Sequence, residues 1–173
     1  MKYILSSIIL AIVLVSCANS KKATDKSQSS KNTTFKNVAE GDSLFAYIRR
    51  GACYGSCPIF EIKIYNSGFA ELKGTRFVDL IGDYTTTISK EKMLALVEKA
   101  KSIGYQNMDD VYDNEMITDI PETNTSIVID GKRKAIRRRV GFPNEILSFE
   151  ALFDQLLKTE KWTKIEGSEN SEE

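Results

Sequence analysis

Two cysteines stand with three residues between them in "RRGACYGSCPIF", Arg49 to Phe60. A thiol pair at that spacing has three chemistries open to it: a closed disulfide, a reversible redox couple, or two soft ligands for a metal. A disulfide needs Cα atoms about 4.4–6.8 Å apart. A fully extended chain would hold Cys53 and Cys57 farther apart than that, so the residues between them must turn back. Gly55 permits a positive φ, Ser56 suits a turn, and Pro58 stiffens the chain that follows. Closing so short a loop contributes roughly 2 kcal/mol in the chain-entropy account. Reactive pairs more often have two intervening residues and sit at a helix N-terminus, which lowers the thiol pKa. Here three intervene and a strand pattern follows, although Arg49 and Arg50 would favour a thiolate. Zinc would lack ligands, because the chain has no histidine. A two-thiolate copper(I) site still suits soft sulfur. The expectation is a structural disulfide between Cys53 and Cys57, with no metal and no cofactor. Thiol–disulfide exchange or copper(I) handling by the same pair is the alternative.

The third cysteine has a different setting. Met1, Lys2 and Tyr3 open the chain with a positive charge, and Ile4 to Val15 is apolar apart from Ser6 and Ser7. That is the build of a secretory signal peptide, and it falls short of the roughly 18 apolar residues that a membrane-spanning helix needs. The run ends in "LVSC", Leu14 to Cys17, which resembles the lipobox of bacterial lipoproteins. The resemblance implies cleavage before Cys17 and lipidation of its thiol, by diacylglyceryl and palmitate-type chains. At about 0.8 kcal/mol per buried CH₂, two or three such chains form a stable anchor. With Cys17 assigned to lipid, the two remaining cysteines form a couple of their own, in an exported compartment that permits disulfides. The segment "ANSKKATD" after Cys17 lacks the acidic run that resembles surface-export signals. The expected location is therefore the cell envelope, at the outer membrane and facing the periplasm.

Other chemistry is thinly represented. Lysine plus arginine and aspartate plus glutamate both number 24. Residues 1–16 hold one charged side chain, Lys2, so the remainder is one unit acidic. That balance excludes a global nucleic-acid signature. "KRKAIRRRV" (Lys132–Val140) is basic, but six acids lie just upstream, between Asp109 and Glu122, and strand alternation would split the basic residues between two faces. Local pairing is the expectation; anionic headgroups or an acidic partner are the sharper readings. "DDVYDNE" does not fit the EF-hand template. No G-x-S-x-G nucleophile elbow and no phosphate-binding glycine pattern occurs, so an enzyme is not expected.

These residues need a scaffold. From Cys17 to Gly41 the chain is mostly Lys, Ser, Thr, Asn and Gln, too polar to bury a core. It reads as a flexible tether with a reach of roughly 25 Å. Residues 42–165 read as a single domain, and 166–173 as a disordered acidic tail. Ser43–Arg50 is a plausible first strand. Ile59–Tyr65 alternates with period two, Asn66–Gly68 turns, and Phe69–Gly74 returns. Tyr84–Ser89 is β-prone. The period then becomes helical: Ser89 caps a helix facing inward through Met93, Leu94, Val97 and Ala100, a face widened by Leu96 and Ile103, with Gly104 just past its end. A hairpin turns at Gly131. Asn144 is expected to cap a second helix, with Ile146, Phe149, Leu152, Phe153, Leu156 and Leu157 inward. Trp162 closes the base of the core. The order of elements predicts an α+β domain: a mainly antiparallel sheet with two helices packed on one face.

From "CYGSCPIF" onward the chain resembles an uncharacterised domain found in lipoproteins and exported proteins of Bacteroidota-type bacteria. Its pattern is Cys, an aromatic, Gly, a small residue and Cys-Pro, met here by Cys53, Tyr54, Gly55, Ser56, Cys57 and Pro58, with Gly68 in the turn that follows. "TDIP" (Thr118–Pro121), "DGK" (Asp130–Lys132), "GFP" (Gly141–Pro143) and Trp162 fit it as well. The resemblance implies a lipoprotein setting and brings no activity. "CYGSCP" also resembles the Cys-x-x-x-Cys-Pro loop of Sco-type copper-delivery proteins, which add a distal histidine absent here. The expected protein is a membrane-anchored envelope lipoprotein with a non-catalytic binding or structural role. Its partners would be the membrane through Cys17 and an envelope protein, not nucleic acid.

Overall fold

A computed structural model describes residues 38–39 and 41–166. The expected signal segment, Cys17, most of the expected tether and residues 167–173 lie outside the described residues. The elements run β1 (Leu44–Arg50), β2 (Ile59–Tyr65), β3 (Phe69–Arg76), β4 (Gly82–Thr87), α1 (Lys90–Ser102), a 3-10 turn (Tyr105–Asn107), β5 (Val111–Tyr112), β6 (Thr123–Ile129), β7 (Lys132–Arg138), α2 (Ile146–Thr159) and β8 (Thr163–Lys164). The eight strands make one sheet in the order β5-β7-β6-β1-β2-β3-β4-β8. Every neighbouring pair is antiparallel except β5 with β7. This is the expected α+β class.

Period two decides which side of the sheet is covered. In β2, Phe60, Ile62 and Ile64 are buried while the residues between them are not. Their cross-strand partners continue that face: Ala46 and Ile48 in β1, Ala70 and Leu72 in β3, Ile127 and Ile129 in β6, Ile136 in β7. Leu96 and Ala100 of α1 and Ile146, Phe149, Phe153 and Leu156 of α2 join the same cluster. Both helices therefore cover one face. Each fully buried Ile, Leu or Phe contributes about 1.5–3 kcal/mol relative to exposure. Thr125 is a polar residue on this face, and the buried hydroxyl of Tyr105 shares a 2.7 Å hydrogen bond with it.

The helix ends depart from expectation in two details. Ser89 does cap α1, its side chain accepting from the Lys92 amide, and Leu96 is buried as expected, but Leu94 is exposed. In α2 the cap position belongs to Glu145, not Asn144. The first free amides are met by a backbone turn: Ile146, Leu147 and Ser148 N–H donate to the carbonyls of Pro143, Asn144 and Glu145. Trp162 is half-buried against the core and donates Nε1–H to the Leu156 carbonyl at 3.2 Å.

The register sorts the connections into two ends. Leu44 pairs with Tyr65, Phe69 with Thr87 and Ile129 with Lys132, so the start of β1 shares an end with the β2–β3 and β6–β7 turns. Arg50 pairs with Phe60 and Thr123, Ile59 with Arg76, Gly74 with Gly82, and Thr123 with Arg138. Segments 51–58, 77–81 and 113–122 consequently emerge together at the opposite end.

Candidate functional site

Cys53 and Cys57 are joined by a disulfide, with their Cα atoms 5.8 Å apart. The chain turns back as its residues require: Gly55 takes φ 149°, and its N–H donates to the Cys53 carbonyl at 2.9 Å. The bridge closes the segment from the end of β1 to the start of β2. Its tip is Tyr54, 94% exposed. Gly51 N–H donates to the Glu122 carbonyl at 2.8 Å and fastens this loop to the neighbouring segment 113–122.

Beside the clasp lies a cleft of about 730 Å³. Phe60 and Arg50 come to it from the sheet, Phe77 from segment 77–81, and Asp154, Leu157 and Trp162 from α2 and the chain after it. Segment 77–81 folds tightly over β3. A Cβ on Gly74 would stand 1.7 Å from the Leu80 carbonyl oxygen, so only glycine fits beneath it. Phe77 holds φ 55° and is 47% exposed, with the Arg76 guanidinium 5.0 Å from its ring centre. A large side chain in left-handed backbone is strained, and such strain concentrates at sites of function.

Arg50 and Asp154, which line the cleft, belong to an ionic cluster that continues into the core. Glu150, 0% exposed, receives both Arg138 Nε–H at 2.5 Å and Arg138 Nη2–H, a bidentate pair. Arg138 in turn lies 4.1 Å from the ring centre of Phe142. Arg50 Nη2 donates to Asp154 at 2.8 Å and reaches Glu150 at 3.5 Å. Burial raises the Asp154 carboxyl above its ordinary pKa; Arg50 pulls it down and Glu150 pushes it up. Arg50 Nε is buried without a partner. Arg50, which the sequence set beside the thiols, is thus committed to α2.

On the uncovered face of the sheet, a second depression of about 830 Å³ runs past Tyr47, Arg49, Ser126, Arg133 and Arg137. Here the basic strand meets its upstream acids. Arg137 pairs with Asp113 and Glu122, both at 3.0 Å, Arg139 with Asp113 at 3.1 Å, and Lys134 with Asp110. Asn124 and Arg137 hold the Glu122 carboxyl below its ordinary range. For Asp113, burial pushes upward but is outweighed by the Asn114 amide and the two arginines, and the net direction is down. Local pairing therefore accounts for most of the "KRKAIRRRV" charge.

Three features escaped the sequence reading. Glu150 had a signal: it falls at i+4 from Ile146, within the apolar stripe. Segment 77–81, "FVDLI", sets four large apolar residues around Asp79 without alternation, beside a glycine. The two-residue strands β5 and β8 are too short to carry a period. Among the described residues, no group of three His, Cys, Asp or Glu side chains is placed to hold a metal ion. Cys17 lies outside them.

Residues 45–157 match the family described as "Domain of unknown function (DUF6438)". The match spans more than half of the chain, and the protein belongs to that family. No curated protein matches it.

Proposed function

We propose that this member of a family without an assigned activity is a lipid-anchored protein of the bacterial cell envelope whose folded part is a non-catalytic binding module. One observation carries the reading. The chain has three cysteines, and the bond between Cys53 and Cys57 leaves Cys17 alone, at the end of an apolar leader. A stable disulfide fits an oxidising, exported compartment, and a lone cysteine at a signal-peptide junction fits lipidation. The Cys-aromatic-Gly-x-Cys-Pro loop and the resemblance to Bacteroidota-type lipoproteins support the same setting, with the anchor in the outer membrane and the domain facing the periplasm. A binding role is supported by the cleft beside the clasp, which sets the apolar side chains of Phe60, Phe77, Leu157 and Trp162 beside charged groups of both signs.

The test is membrane fractionation with acyl labelling. Wild-type protein should sediment with membranes and carry label; Cys17→Ser should be soluble and unlabelled. A Cys17→Ser protein that stays in the membrane with unchanged mass overturns the anchor.

The partial exposure of Cys53 and Cys57 keeps the thiol alternative worth one measurement. A structural bridge should have a reduction potential below about −300 mV. A pair reduced well above that value, or copper(I) bound stoichiometrically and lost in Cys57→Ser, would replace the binding module with a redox or copper-handling protein.

A further inference from the structure

The end of the sheet far from the start of β1 carries most of the exposed large hydrophobic side chains among the described residues. Of the eight exposed large hydrophobic side chains among the described residues, five lie in its three loops: Tyr54 in 51–58, Phe77 and Ile81 in 77–81, Met116 and Ile117 in 113–122. Tyr54 and Met116 are 94% and 90% exposed. The loops spring from β5, β6, β1, β2, β3 and β4, whose roots, with β7 between the first two, span about 29 Å at the usual strand spacing.

Each loop is held by a different device. The disulfide closes the first. Arg139 secures the third, donating to the Ile117 carbonyl at 2.8 Å while pairing with Asp113, and the Gly51–Glu122 bond ties the first and third together. The close approach over Gly74 seats the second, and Tyr84 Oη–H donates to the Ile81 carbonyl at 3.2 Å. Side chains displayed on fixed loops bind with little ordering cost.

Their charge is one-sided. The three loops contain Asp79, Asp113, Glu115, Asp119 and Glu122 and not one lysine or arginine, in a chain where acids and bases are equal in number. Asp113 and Glu122 are neutralised by arginines; Asp79, Glu115 and Asp119 stand exposed.

We infer that the three loops form one docking surface for a protein partner that presents basic residues around an apolar patch, with Tyr54 and Met116 as anchors. The inference rests on the binding role proposed above and names its surface and partner class. Tyrosine and methionine are enriched at the centres of such interfaces, and acidic tips select a cationic surface while repelling anionic headgroups.

A peptide-display library panned against the full chain, held in detergent by a C-terminal tag, tests this. The expected clones combine lysine or arginine with aromatic or aliphatic residues. Their affinity should fall about tenfold or more, roughly 1.4 kcal/mol, in Tyr54→Ser, in Met116→Ser and in the charge-reversed pair Glu115→Lys with Asp119→Lys. It should be unchanged in Leu94→Ser, an exposed apolar residue on α1. All of these positions are exposed, and circular dichroism checks that the fold is kept. Acidic clones, clones indifferent to the loop variants, or no enrichment would overturn the proposal. So would loop-dependent binding to phosphatidylglycerol vesicles, which would make the occupant a lipid. The Cys17→Ser fractionation is read separately, so failure of the anchor and failure of the docking surface are distinct results.

Discussion

At the residue scale, burial decides which side chains are stable as they stand and which hold tension. Glu71 lies on the open face of the sheet yet is 3% exposed. Burial is the main influence on its carboxyl and raises its pKa; the hydrogen bond from Tyr65 and the charge of Lys63 act the other way. Its Oε1 is buried without a partner. A carboxyl raised in the folded state adds stability below the unfolded value, about 4.3, and that contribution is lost as pH rises through the folded value. Glu71→Gln should therefore flatten the fall of the melting temperature above about pH 4.3 and should be no less stable than wild type at neutral pH. A steeper fall in thermal melts across that range would refute this. Phe77 holds a different tension, since left-handed backbone costs a non-glycine residue roughly 1–2 kcal/mol. Asparagine tolerates that region better, so Phe77→Asn should raise unfolding free energy by about 1 kcal/mol in urea titration. Neither property was legible beforehand: alternation sets Glu71 on a polar face and says nothing of how its neighbours cover it, and φ is not written in a phenylalanine.

At the element scale, α2 is docked by more than its apolar stripe. The buried Glu150 joins it to β7 through Arg138 and, more distantly, to β1 through Arg50. Removing one partner of a buried pair leaves the other charge uncompensated, at about 3–5 kcal/mol. Glu150→Ala should destabilise on that scale, while Glu150→Leu combined with Arg138→Met should recover most of the loss, read by chemical denaturation. The elements differ in how plainly the sequence announces them. The limits of β2 follow from seven residues of clean alternation, and α1 from Ser89 and the spacing of its apolar residues. The cap of α2 was misplaced because three backbone carbonyls in a turn do the work expected of the Asn144 side chain. In the cleft, Arg50 looked like a neighbour of the thiols because it is near them in sequence. The sheet register instead aims it at a helix 100 residues away.

For the whole molecule, the sheet is finished at both edges by very short strands. β8 pairs with β4 through Tyr84–Lys164 and Thr85–Thr163, and Ile165 N–H donates to the Asp83 carbonyl at 2.9 Å. An uncovered edge strand is a template for pairing with another chain. A protein ended after Lys161 loses β8 and Trp162 together. It should melt lower and self-associate, seen as a rise in light scattering below the melting transition; a monomeric product with unchanged melting would show that the edge needs no cover. The α+β class was legible from the order of long periodic segments, because the core is built from them. The edges and the apolar loop tips were not, because two-residue strands and loops have no period to read.

β1 lies at the centre of the sheet, bonded along its length to β2 on one side and β6 on the other. Its first residues follow directly from the N-terminal segment, and its last lead into the disulfide loop. If the protein is held by lipid ahead of β1 and by a partner on the three loops at the opposite end, a pull between them enters the sheet through this single strand and leaves through its neighbours as well. Antiparallel ladder bonds lie perpendicular to the strand axis, so such a force loads both ladders in shear, all bonds at once, instead of peeling them apart singly. The disulfide sits where the partner's pull would reach this strand and limits how far that loop can be drawn out. The same connection that displays Tyr54 thus gives the domain the build of a mechanical coupler, in which the rate of forced unfolding sets how long a loaded attachment survives.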